Sequence, residues 1–300
     1  MIAAATLAAL ATVCAVGAWR LTSHRWTWRA PRAAILLWQS LGVTWGLASV
    51  GALLAFALQP FGRGIVHGLA YIGHHWREPH DLPRIVSLVA GLALLAALST
   101  VLMWAGVETL RARRRHRMLL ALIAREEPGV PGVRVLDHPG AAAYCVPGLR
   151  SQVVISAGTL RLLSPDELTA VLAHESAHVR ERHDLVLLPF AALSRILPWS
   201  KTVHEAHASV ALLIEMAADD RARRQCSPKR LATALLRFGT AAAYATPYGA
   251  LGASTGENVM ARVNRLVKPR AELPAHARFA IVAGSALLTA SAPLLWLLPG

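Results

Sequence analysis

Residues 172–184 read Leu-Ala-His-Glu-Ser-Ala-His-Val-Arg-Glu-Arg-His-Asp, a dense polar segment directly behind an apolar run. His174 and His178 stand four residues apart, which on a helix puts both imidazoles on one face. Two imidazoles at that spacing can ligate one zinc ion, and Glu175 lies beside such a metal as a base for its bound water. Zinc brings the pKa of that water to about 7, so the glutamate can take its proton and pass it to a leaving amine. That is hydrolytic chemistry. The plain alternative is the wet face of a helix, and three positions of spacing do not separate the two.

A hydrolytic zinc site takes three protein ligands and keeps one position open. Asp184, six residues after His178, has the spacing of one zincin class. That class needs a glycine three residues past the second histidine, and Glu181 stands there. His183 falls roughly 180° around the helix from His174 and faces away unless the helix breaks. His204, Glu205 and His207 open a later helix as capping or surface groups, with His204 or His207 a candidate to polarise a substrate carbonyl. Glu215 is the stronger third ligand. It follows apolar Ala211–Ile214 in mid-helix, where an unpaired carboxylate is costly. Asp219, one turn on, shares its face and is placed to hold a ligand imidazole. A salt bridge to Arg223 is the alternative for either acid.

The elements that must carry these residues have their own signals. Ser164-Pro165-Asp166-Glu167 offers an N-cap, a proline at the first helical position and a glutamate three residues after the cap. The helix it opens should run to about Arg182, with Leu168, Val171, Leu172 and Val179 as its buried stripe. Ahead of it, Val133–Leu136, Ala142–Val146 and Gln152–Ser156 read as short strands. Pro147-Gly148-Leu149-Arg150 suggests a hairpin turn between the last two. Thr159–Leu163 is a short helical turn. Leu185–Leu193 is a buried or interface-dipping helix, Val203–Gln225 a helix, and Ser227-Pro228 starts another towards Phe238. The uncharged Gly239–Gly256 stretch reads as a loop from its Gly, Thr, Ser and Pro content.

The rest of the chain points to a bilayer. Of the 300 residues, 55% are hydrophobic and only 16% charged. Residues 1–19, 33–62, 85–107 and 279–300 carry no Asp, Glu, Lys or Arg. Each is long enough to cross a hydrocarbon core of about 30 Å. Positive charge follows the first run rather than preceding it, which fits an uncleaved anchor and not a signal peptide. The net charge of +14 gathers largely at Arg20–Arg32 and Arg111–Arg117. Arginine-rich short loops stay cytoplasmic. The N-terminus is therefore expected outside, the segment after Val107 in the cytoplasm, and the C-terminus outside. Nucleic-acid binding is the weaker account of the charge, since the clusters abut spans and lack interleaved aromatics. Three widely spaced cysteines, Cys14, Cys145 and Cys226, indicate neither a disulfide framework nor a thiolate metal site.

"AVLAHESAHVRERHDL" followed by "EMAAD" resembles the HtpX-type and BlaR/MecR-type membrane metalloproteases, which pair H-E-x-x-H with a downstream E-x-x-x-D. The resemblance covers roughly Val133–Arg230. It implies zinc held by His174, His178 and Glu215, Glu175 as the base, and Asp219 holding a ligand histidine. It also implies that Gln152–Ser156 or Ala142–Val146 pairs with substrate backbone, as an exposed sheet edge can.

Three spans before the protease region and one after it resemble the BlaR/MecR arrangement more than the HtpX one. No extracellular sensor region stands among the 300 residues, so proteolysis is implied and β-lactam sensing is not. The expected fold is a mainly α membrane protein with four transmembrane helices and a cytosolic α+β zincin-type, gluzincin-like protease domain. Its parts are 1–127 (spans at about 1–19, 33–58 and 85–107), a protease domain at 128–278, and a final span at 279–300. The expected function is zinc-dependent endopeptidase cleavage of a protein or peptide substrate, with a cytosolic transcriptional repressor as one candidate. An HtpX-like quality-control protease and a non-catalytic zinc-containing membrane transducer are the alternatives. Partners are then the substrate and the lipid bilayer, with no direct nucleic-acid binding. Movement of the spans is one route by which the cleft could be regulated. The His67, His74, His75 and His80 loop is a candidate sensor, with an interfacial belt as its plainer reading.

Overall fold

Apolar runs bounded by proline and arginine form helices from the first residues of the chain. In the computed structural model, which describes residues 1–61, 64–75, 81–126, 133–146, 152–245, 256–268 and 271–297, α1 is Ile2–Leu21 and α2 is Pro31–Leu58. Pro31 sits in the first turn of α2, where its missing N–H costs no hydrogen bond. Gly64–His75 forms α3, although that stretch reads as a loop. Ile65 is buried with Leu58 and Leu54, and this packing supplies what local propensity lacks. Residues 76–80, including His80, lie outside the described residues. Helix α4 is a single 42-residue element, Leu82–Ile123, that carries the apolar run straight into the arginine cluster.

Strands follow directly on the arginine-rich end of α4. β1 (Ala124–Glu126), β2 (Val133–Leu136), β3 (Ala143–Val146) and β4 (Gln152–Ser156) form one sheet in the order β1-β2-β4-β3. β1 pairs antiparallel to β2, with Ala124 opposite Leu136, so ladder hydrogen bonds take over from the helix at that point. β2 and β4 run parallel, and β3 returns antiparallel to β4. The expected Pro147–Arg150 turn and the Pro128–Gly132 boundary lie outside the described residues. β4 is paired on both sides, so its backbone is not open to a further strand; β3 is an edge.

Helix α5 (Ala157–Leu162) leaves β4 directly. It starts beside the Pro139–Gly140 backbone: a Cβ on Gly158 would lie 2.1 Å from Pro139 O, so only glycine fits. Helix α6 (Pro165–Arg180) opens with the full capping box, Glu167 N donating to Ser164 Oγ and Ser164 N to Glu167 Oε2. Helices α7 (His183–Ile196), α8 (Lys201–Ala222), α9 (Pro228–Ala245), α10 (Gly256–Val267) and α11 (Ala275–Leu297) complete the mainly helical chain. The Gly239–Gly256 stretch is thus helical as far as Ala245, and residues 246–255 lie outside the described residues.

The chain divides into two compact units. One comprises Met1–Ala105, Pro189–Val210 and Leu273–Gly300; the other comprises Gly106–Leu188 and Ala211–Glu272. In the first, Leu7, Ala48, Leu54, Ile65 and Ala292 form the core, and α1, α2 and α11 pack together. Among the described residues, four helices are long and apolar enough to cross a membrane: α1, α2 with its short 3-10 extension to Phe61, α4 and α11. In the second, Ala170, Ala173, Ala222, Leu231, Val263 and Leu266 make a close-packed core joining α6, α8, α9 and α10. The buried face of α6 is therefore Ala170, Val171, Ala173, His174 and Ala177, while Leu168, Leu172 and Val179 are only half-buried. Small alanines let the neighbouring helices approach, and the leucine-centred stripe expected from sequence is displaced.

Candidate metal centre

His174 is buried in the middle of α6, and His178 follows one turn later, half-buried. Their Nε2 atoms are 3.1 Å apart. Glu215, on α8, brings Oε2 to 3.3 Å from His174 Nε2 and Oε1 to 3.5 Å from His178 Nε2. The donor atoms of these three residues all lie within 4.8 Å of one another. A tetrahedral ion with bonds of about 2.0–2.1 Å holds its donors about 3.3 Å apart. The three observed separations bracket that value, and two imidazoles with one carboxylate are a donor set that zinc accepts. The residues present fit the ion.

What surrounds the cluster fixes it in place. His174 Nδ1 lies 3.0 Å from Asp219 Oδ1, one turn beyond Glu215 on α8. Asp219 is almost wholly buried and is gripped by Arg262 of α10, whose Nε and Nη2 reach its two oxygens at 2.9 and 2.8 Å. The same guanidinium places Nη1 2.7 Å from Glu215 Oε2 and Nη2 3.3 Å from His174 Nε2. Next to it, Arg265 makes a two-pronged pair with Asp220, both contacts at 2.8 Å. Helix α10 thus clamps α8 through two arginines on consecutive acids.

The electrostatics follow from this crowding. Burial works against a charge on His174, but the Asp219 and Glu215 carboxylates outweigh it and lift its pKa to about 9. At His178, burial and the neighbouring charge of His174 outweigh the pull of Glu215 and push the pKa down to about 3. Burial opposes ionisation of Glu215, yet His174 and Arg262 hold it well below the usual carboxylate range. Asp219 is likewise drawn down to about 2, against burial, chiefly by Arg262.

The structure brings together His174, His178 and Glu215, with Asp219 beside His174 and Glu175 half-buried next to them on α6. It does not bring Asp184 there, since Asp184 pairs with Arg113 of α4. Arg223, the alternative cation for Glu215 or Asp219, reaches Asp220 and Glu272 instead. His204 and Glu205 lie in the other compact unit, His204 Nε2 contacting Pro198 O at 3.0 Å and Glu205 pairing with Lys201. For His183 the helix does break. Helix α6 ends at Arg180, Arg182 takes φ 50°, and the chain turns so that His183 Nδ1 comes within 3.0 Å of His178 Nδ1. Arg262 was missed altogether. Val259, Val263 and Leu266 make an apolar helical stripe, and an arginine set within it was the available signal.

A family model described as Peptidase family M48 matches residues 108–249, a little under half of the chain. Among curated proteins, a protease HtpX homolog of Aeropyrum pernix is 41% identical over 75 residues, 23% of this chain and 24% of its own length. A protease HtpX homolog of Thermoplasma acidophilum is 36% identical over 62 residues, 21% of this chain and 20% of its own. The chain thus aligns with no more than about a quarter of the length of either relative. No solved structure matches it.

Proposed function

We propose that this chain is a membrane-anchored zinc metalloendopeptidase whose active centre is the His174–His178–Glu215 cluster. The carrying observation is that three donors from two helices stand at tetrahedral separations, inside the segment that matches a peptidase family. His174, His178 and Glu215 would hold the ion. When bound, zinc supplies a Lewis acid that acidifies a water and polarises the scissile carbonyl. Glu175 accepts the proton of the attacking water and delivers it to the departing amine nitrogen, so the peptide C–N bond breaks without releasing a charged amide. Asp219 accepts from His174 Nδ1–H and keeps Nε2 aimed at the centre. The outer edge of β3 pairs with an extended substrate backbone, a role that β4 cannot take.

Within this reading, α1, α2, α4 and α11 are the four spans, the termini lie outside, and the peptidase region (128–278) faces the cytoplasm. A cytoplasm-dependent reporter works after Arg117 or Arg270 and fails after Tyr71; the reverse pattern places the peptidase outside. Two substrate classes divide the proposal. The names of the relatives support an HtpX-like quality-control protease cutting damaged membrane proteins. Three spans before the peptidase region and one after favour a BlaR/MecR-like protease cutting a cytosolic repressor. Glu175→Gln separates enzyme from non-catalytic transducer: it keeps zinc and lowers cleavage roughly 10²–10⁴-fold. Undiminished cleavage by that variant removes Glu175 from the mechanism. Proteins that accumulate in cells carrying it identify the substrate class.

A further inference from the structure

His178 has two ring nitrogens with different surroundings. Nε2 faces His174 and Glu215, as above. Nδ1 faces another imidazole, His183 Nδ1, at 3.0 Å, with the rings edge-on at 81° and 4.9 Å between centroids. His183 is 4% exposed, so water does not compete for that contact. Its far nitrogen, Nε2, lies 3.3 Å from Glu181 Oε2, and Glu181 Oε1 lies 3.5 Å from Arg221 of α8. The arrangement depends on a break in the helix. Glu181 N still bonds Ala177 O, but the left-handed Arg182 redirects the chain. A non-glycine residue seldom takes that conformation.

Proton counting gives this chain of contacts a direction. An imidazole that binds a metal through Nε2 carries its hydrogen on Nδ1. Two Nδ1 atoms in contact share one hydrogen, so His183 Nδ1 must accept it. The hydrogen of neutral His183 then sits on Nε2, where Glu181 accepts it. We infer that His183 is a positioning residue for the metal centre: it accepts from His178 Nδ1–H, donates from Nε2 to Glu181, and so holds His178 Nε2 towards the ion. The inference rests on the zinc reading above. It makes the two ligand histidines unlike, since His174 is held directly by a carboxylate, whereas His178 is held by a neutral ring with a carboxylate one step behind.

The test is zinc affinity of the full chain in detergent, measured by competition with a chelating dye. His183→Leu fills the space but cannot accept, and should weaken zinc binding about 10–100-fold. His183→Gln offers an acceptor oxygen and should recover most of that loss. Equal affinities for the Leu and Gln variants, or parental affinity in the Leu variant, overturn the inference. Ring ¹⁵N chemical shifts of the unsubstituted, zinc-loaded chain test it without any variant: His183 should carry hydrogen on Nε2 alone, and a hydrogen on Nδ1 refutes it. His174→Ala is the control for the underlying reading. Parental zinc affinity there discards the metal centre itself, whereas loss there with an indifferent His183→Leu discards only the positioning role.

Discussion

Both compact units bury hydroxyls, but among the described residues only one of them also buries charged and titratable side chains. In the apolar unit the buried polar side chains among the described residues are Thr27, Ser40, Thr44, Ser87 and Ser285, all hydroxyls. Ser40 bonds its own helix at Leu36 O, while Thr44 reaches Leu288 O and Ser87 reaches Leu53 O on neighbouring helices. In the other unit two hydroxyls, Ser156 and Thr159, are buried against each other, but so are Glu167, His174, His183, Asp219 and Arg262, and each of these five meets a further charged or titratable group. A hydroxyl can borrow a helix carbonyl that already has a partner and so costs little to bury. A charge cannot; it has to be answered by another charge in good geometry. One unit is therefore held by close apolar approach and tolerates small polar edits, and the other is held by a network in which each member depends on the next.

That contrast is broken most directly at Arg262. Arg262→Ala removes the cation from Asp219 and Glu215 together and should cost about 3–5 kcal/mol in the metal-free chain, read as lost hydrogen-exchange protection over α8 and α10. Zinc should narrow the loss, because the ion then answers the Glu215 charge. Unchanged protection without metal would mean that the network is not what holds this unit.

A second effect comes from protons. With His174 raised to about 9, the metal-free centre carries one proton that zinc must displace. His178, already driven to about 3, and the ionised Glu215 release none near neutrality. Calorimetry in buffers of different ionisation enthalpy should therefore show about one proton released per zinc at pH 7. Affinity should rise about tenfold per pH unit from 7 and flatten above about 9. No release at pH 7 would place the proton elsewhere.

The apolar unit responds to volume instead. A Cβ on Gly51 would fall 2.2 Å from Trp296 Nε1, so Gly51→Leu should part α2 from α11 at a cost of about 1–3 kcal/mol in detergent unfolding. Zinc affinity should not follow it. Smallest of all, Thr44→Val removes one hydroxyl bond to Leu288 O and should cost about 1 kcal/mol. A loss at Thr44 as large as that at Arg262 would erase the distinction between the units.

Local signals carried much of this reading. The capping box at Ser164 depends on residues within one turn, and so do the apolar runs and the strands at Val133 and Gln152. Spacing likewise put His174 and His178 on one face, and mid-helix burial singled out Glu215. The reading failed where distant packing overrode local preference, as at α3, which Ile65 anchors.

Composition and periodicity by themselves determined the apolar helices, the capped α6 and a histidine pair able to share an ion, because each rests on contacts no more than a few residues apart. Only the tertiary structure decided that β4 is enclosed while β3 is an edge, that Arg262 is the cation behind Glu215 and Asp219, and that His183 returns to His178. Strand order depends on which backbones pair in space, and Arg262 crosses 43 residues to reach Asp219. His183 is only five residues from His178, yet its direction hangs on one left-handed residue, Arg182, whose conformation no side-chain pattern announces.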